Sequence, residues 1–187
     1  ALAWSPVEDR LYCANYYSDN VTVIDCATNT VAATIPVKKF PWRLCYNQRD
    51  DKVYVACRDS SKVSIIDCAT NSVIVHLPLY SDPGAMVYDS ARNRVYVNHL
   101  WSAVAVIDGA GDSLVANIEV GARPASIAYN PVDDLVYSSS ESDAARNPTA
   151  AIAKHAPVAR PSSAGRPARL ASALRPPGAP APRASST

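Results

Sequence analysis

The sequence predicts an all-β fold, a β-propeller of four-stranded antiparallel blades, on three observations. Tyr12, Tyr54, Tyr96 and Tyr137 occupy one position of a repeated unit, 42, 42 and 41 residues apart. Asp25, Asp67 and Asp108 occupy another, 42 and 41 apart, in VTVIDCATNT, VSIIDCATNS and VAVIDGAGDS. Each of these aspartates stands 16 residues before a proline: Pro41, Pro83 or Pro124. A period near 40 residues filled with Val, Ile and Tyr marks a propeller blade.

The first blade spans about residues 1–37. LAWSPVEDRLY enters it in mid-repeat, because Trp4 shares the register of Tyr46, Tyr88 and Tyr129. The chain therefore reads as a fragment that starts inside a blade. LYCAN and VTVID follow, and the last strand closes at Pro36, a residue tolerated at a sheet edge or strand end.

The second blade, about 42–79, is the clearest. Runs at 43–46, 52–57, 62–67 and 72–78 have strand length and are separated by the turn-rich NQRDD, RDSS and CATN. In VYVAC, Val53, Val55 and Cys57 face one way and Tyr54 and Ala56 the other, so both faces are apolar. Such a strand must be covered on both sides, as between neighbouring blades. The third blade, about 84–120, repeats the order. The fourth, 124–138, holds two strands, the second being VYSSS, which brings the expected total to 14.

With 6 glycines in the chain, left-handed turn positions fall to Asn and Asp, and Asn29 and Asn71 are suited to them. Asp25, Asp67 and Asp108 are each placed to cap the turn that follows; the competing reading is a row of ligands.

YCANYYSDNVTVIDCATNTVAATIPV, YVACRDSSKVSIIDCATNSVIVHLPL and VGARP together closely resemble the YVTN family of β-propeller repeats, over residues 1 to about 138. The resemblance implies a ring that is usually seven-bladed and an extracellular or cell-envelope setting, surface-layer proteins included. Related propellers include lactonases and the cofactor-bearing domains of some oxidoreductases. The chain departs from the pattern in number: even small propellers have about four blades. The expectation is that missing blades or self-association close the ring, because an open array leaves apolar end faces and strand edges bare.

Residues 1–143 hold 11 Lys and Arg against 17 Asp and Glu, whereas 144–187 hold 7 basic residues and no acid. This second segment, rich in Ala, Pro, Arg and Ser, is expected to be disordered and to supply no strand. Because the change falls in mid-blade, and this composition is what GC-rich coding DNA yields out of frame, a frame error is one reading. A neutral linker and a functional basic tail are the others. No apolar run is long enough to span a bilayer, and no signal peptide is visible.

Local support for catalysis is absent. His76, His99 and His155 lie in three contexts and complete no Ser/His/Asp set or phosphate loop. The five cysteines, Cys13, Cys26, Cys45, Cys57 and Cys68, form no CxxC pair, so no metal or haem site is expected and no cofactor is implied. They read as small buried or turn residues, with a disulfide between Cys26 and Cys68 as the alternative.

The loops are more informative. Those joining first to second strands and third to fourth are polar and alike between units. Those on the opposite rim differ between units and carry Tyr16, Tyr17, Lys38, Lys39, Phe40, Trp42, Tyr80, His99 and Trp101. Aromatic and basic side chains on variable loops suit binding of a protein or small ligand; the alternative is that several wedge blades together. The expected function is a non-catalytic binding scaffold. An enzyme fragment of the lactonase-like or oxidoreductase-associated kind is a second reading. Single-stranded nucleic acid stacked near Lys38 and Lys39 is a third, disfavoured by the negative repeat region.

Overall fold

The computed structural model describes residues 1–140 and, for the backbone, 151–153. Its strands are β1 (Leu2–Ser5), β2 (Arg10–Asn15), β3 (Asn20–Asp25), β4 (Thr30–Pro36), β5 (Pro41–Asn47), β6 (Lys52–Cys57), β7 (Lys62–Asp67) and β8 (Ser72–Pro78). They continue with β9 (Pro83–Asp89), β10 (Arg94–His99), β11 (Ala103–Asp108), β12 (Ser113–Glu119), β13 (Pro124–Asn130), β14 (Leu135–Ser140) and β15 (Ala151–Ala153). They form antiparallel sheets in the orders β1-β2-β3-β4, β5-β6-β7-β8, β9-β10-β11-β12 and β13-β14-β15. This is an incomplete propeller, as the repeats predict.

The fourth sheet departs from expectation. Ala151–Ala153 pair with β14, Ala153 opposite Val136 and Ala151 opposite Ser138, so the segment expected to supply no strand supplies one. An antiparallel ladder needs only backbone groups, and a short alanine-flanked stretch offers them without any repeat signature. The rest of the segment expected to be disordered lies outside the described residues.

First strands of successive blades touch one another, β1 with β5, β5 with β9 and β9 with β13. They are therefore the inner strands, and the proline-ended β4 and β8 are outer edges.

The core lies between blades. Tyr12, Val21 and Val23 of the first blade pack with Val53, Val55 and Cys57 of the second. Tyr54, Val63 and Ile65 on the second blade's other face pack with Val95, Val97 and Ile107 of the third. Tyr96, Val104 and Val106 then meet Val136 of the fourth. Leu2, Trp4 and Val7, at the start of the first blade, are left exposed.

Polar locks fix the rim where first strands turn into second ones. Asp9, Asp51, Asn93 and Asp134 take left-handed φ of 47, 50, 55 and 55°. An aromatic five residues earlier donates to each: Trp4 Nε1 at 3.3 Å, Tyr46 at 2.8 Å, Tyr88 at 3.1 Å and Tyr129 at 3.1 Å. The carboxylates of Asp25 and Asp67 accept the Thr28 and Thr70 amides, and Asp108 accepts that of Gly111, each at 2.8 Å. The capping reading of these aspartates holds, and Thr28 keeps the Asp25 carboxyl below its ordinary pKa. Asn29 and Asn71 are left-handed as expected, at 55 and 52°. The Tyr12 hydroxyl then crosses to the next blade, donating to Asn71 Oδ1 at 3.0 Å.

Gly109 holds the position of Cys26 and Cys68. A Cβ there would lie 2.6 Å from Asn93 Oδ1 and 2.8 Å from the Asn93 carbonyl, and Asn93 is fixed by hydrogen bonds to Asn47 and Asp50. Gly109→Ala should therefore lower stability by about 1–3 kcal/mol in urea unfolding, through overpacking. Gly111→Ala, whose nearest neighbour would be the Asp108 carboxylate at 3.0 Å, should cost less.

Candidate functional site

The two variable loop sets meet on one rim because backbone hydrogen bonds tie them. Val37 donates to the Asp19 carbonyl, Leu79 to Ser61 and Val120 to Ser102, while Arg58 donates to Phe40, Leu100 to Asp82 and Arg123 to Trp101. The opposite rim has its own set, Cys26 to Asp9, Cys68 to Asp51 and Gly109 to Asn93.

The predicted residues separate into groups. Tyr16 stacks on Phe40 and meets Tyr17 edge-on, both at 5.0 Å between ring centres. This cluster spans the first and second blades, and Phe40 reaches it with a φ of 54°, a strained angle for a bulky residue. Tyr17 and Tyr80 are 89% and 86% exposed, which leaves their rings free for contact. Lys39 is exposed, whereas Lys38 is half-buried and its charge acts on His76.

Trp42 and Trp101 belong to a second group. They border a cleft of about 760 Å³ that also takes Arg43 and Arg58 from the second blade, Asp82 from the approach to the third and Arg123 from the approach to the fourth. Trp42 is anchored across blades by its Nε1–H, which donates to the Pro83 carbonyl at 2.9 Å. The guanidinium carbons of Arg43 and Arg58 lie 4.3 and 5.3 Å from its ring centre, within cation–π range. Trp101 is 72% exposed. The three arginines were not singled out in the sequence. Arg58 sits in RDSSK and Arg123 in VGARP, two of the variable loops, so their signal was there, but their convergence is a product of blade stacking.

His99 corrects an expectation. It is 1% exposed and offers no contact surface. Its Nδ1 accepts the Ser81 amide at 3.2 Å, which places the neutral ring's proton on Nε2, and this nitrogen has no partner among the described residues. Burial holds its pKa below the ordinary value. Its role here is to hold the Ser81 loop. His76 shares its Nδ1 with the Ser64 hydroxyl at 2.9 Å.

The cysteines are free thiols, Cys57 and Cys68 buried, and the alternative pairing of Cys26 with Cys68 is not formed. Burial pushes the Cys45 and Cys68 thiols up to about 12. Among the described residues no group of three His, Cys, Asp or Glu side chains is placed to hold a metal ion, and no helix is long and apolar enough to cross a membrane.

Two solved structures share the fold. One, described as Kuenenia stuttgartiensis hydrazine synthase, superposes with a TM-score of 0.69 at 21% identity, over 74% of this chain and 41% of that one. The other, described as U3-55K, gives 0.64 at 9% identity, over 74% of this chain and 44% of that one. These likenesses speak to the fold alone and support a β-propeller; the chain spans less than half the length of either. No family model matches the chain, and no curated protein does.

The histidine geometry predicts a pH dependence. The His99 pKa is depressed from 6.5 on folding, so below 6.5 the unfolded chain binds more protons and stability falls as pH drops. Unfolding free energies from urea titrations should be flat from pH 8 to about 7 and decline below that, with a slope of up to about 1.4 kcal/mol per pH unit for this one proton. His99→Gln should reduce the decline, leaving the contribution of His76, whose pKa burial also lowers. An unchanged slope in that variant would assign the effect elsewhere.

Proposed function

We propose that this protein is part of a YVTN-type propeller, a non-catalytic scaffold of the cell envelope or extracellular space, that binds protein through one rim. The observation that carries this reading is the asymmetry of the rims. One is spent on turn locks, repeated from blade to blade, whereas the other presents Tyr17, Lys39, Tyr80 and Trp101 to solvent on loops that differ between blades. Rigid sheets that display variable aromatic loops give a preorganised contact face. The YVTN assignment rests on the repeated motifs, and the envelope setting follows from that resemblance.

A second reading has one observation behind it: one of the similar solved structures bears an enzyme's name, hydrazine synthase. On this reading the blades belong to a larger propeller enzyme and the chemistry lies outside residues 1–140. Turnover or bound metal in a longer form of the protein would favour it.

The scaffold reading is tested by affinity capture from an envelope extract, comparing the wild type with a Tyr17→Ala, Lys39→Ala, Tyr80→Ala variant. All three side chains are exposed, so the variant should unfold at the wild-type urea concentration. The expected result is a partner retained by the wild type and reduced about tenfold or more in the variant. Equal retention by both proteins would remove this face as the contact surface.

A further inference from the structure

We propose that the cleft between Trp42 and Trp101 binds a small carboxylate carried on a ring, with Arg43, Arg58 and Arg123 supplying the positive field and the two indoles flat apolar surface. The inference rests on the reading of this rim as the binding face and gives it a ligand class.

Charge comes first. Residues 1–143 carry six more acidic than basic groups, yet this one cleft gathers three guanidinium groups against a single carboxylate, Asp82. None of the three makes an ion pair among the described residues, and the Asp82 carboxylate is occupied in accepting the Ser61 hydroxyl at 3.0 Å. Three arginines lining one cleft give it a positive potential that favours an anion.

Preorganisation comes second. Trp42 is fixed by its bond to Pro83, and two guanidinium groups rest within 4.3 and 5.3 Å of its ring centre, so their forks are held rather than left to roam. Arg123 takes a φ of 55°, a conformation long side chains rarely adopt, and its amide is bonded to the Trp101 carbonyl at 2.9 Å. Residues kept at such angles cluster in ligand clamps.

Size and net charge select among anions. A cleft of about 760 Å³ suits a small ligand, and the negative surroundings oppose a long polyanion. Inorganic phosphate has no ring to lie against an indole, and a guanidinium fork matches a carboxylate bidentately. The ring, aromatic or sugar, would lie against an indole.

The test is a fluorescence titration of the full chain with glucuronate and with benzoate, using glucose and benzyl alcohol as uncharged counterparts and inorganic phosphate as the competing anion. A saturable change with at least one acid, absent with its neutral counterpart and weaker with phosphate, is the expected result; which acid responds identifies the ring. Arg58→Gln should weaken binding about tenfold. Asp82→Asn, which keeps an oxygen to accept the Ser61 hydroxyl, should strengthen it several-fold, an effect that a merely structural role would not produce. Arg123→Gly should weaken binding without lowering the urea midpoint, since glycine adopts the angle freely. No saturation with either acid, an equal response to the neutral compounds, or affinities indifferent to both Arg58→Gln and Asp82→Asn would overturn the proposal. The Tyr17, Lys39 and Tyr80 variant leaves all of these residues unchanged, so failure here leaves the rim's capture of a protein partner independently testable.

Discussion

A β-sheet that is apolar on both faces persists in water only if something covers each face, and this constraint organises the whole protein. Val53, Val55 and Cys57 require the first blade, while Tyr54, Val63 and Ile65 of the same sheet require the third. Stacking sheets face to face is the solution, and Tyr12, Tyr54 and Tyr96 of the second strands sit in the seams. The first two add direction to an otherwise non-directional contact: the Tyr12 hydroxyl bonds Asn71 in the neighbouring blade's turn, and Tyr54 points to Asp112, the equivalent residue of the next, at 3.4 Å. Lys52 reinforces that second seam with a partly buried ion pair to Asp112 at 2.8 Å. Burial drives the Tyr12 and Tyr54 phenols above their ordinary pKa, so both remain donors throughout the physiological range.

The seam also explains the division of labour between the rims. Turn residues that receive bonds from a neighbouring blade cannot vary freely, since each change removes an acceptor from the seam. Asp51 accepts from Ser5, Asn93 from Asn47, Asp134 from Arg92, Asn71 from Tyr12 and Asp112 from Tyr54, each across a seam. Loops at the other end are tied mainly through backbone groups, which any side chain can supply. Phe40 and Arg123 at left-handed angles are the outcome of that freedom, and both stand on the rim proposed for binding.

Much of this was legible in the sequence because it rests on short-range rules. The strands at 52–57, 62–67 and 72–78 fall where alternation and turn residues put them, and β5 is longer than the apolar run that marked it, beginning at Pro41. The aspartate caps were readable for the same reason, since carboxylate and amide lie three residues apart. What was hidden depends on stacking. The arginine cleft joins residues from 42 to 125, drawn from three blades, and no local pattern announces it. His99 looked like a surface residue of a variable loop, but it closes a strand and is folded under Ser81. The aromatic lock on each first turn was present as a spacing of five residues, Trp4 to Asp9 through Tyr129 to Asp134, and could have been read.

The most direct measurement of the account's central claim is a double-mutant cycle across the first seam, with Tyr12→Phe and Asn71→Gly as the single changes. Glycine keeps the left-handed turn while removing the acceptor, and phenylalanine keeps the packing while removing the donor. If the tyrosine bridge couples the blades, unfolding free energies will depart from additivity by about 0.5–1.5 kcal/mol. Additivity within about 0.3 kcal/mol would contradict the account, since the Tyr12–Asn71 bridge would then not couple the blades.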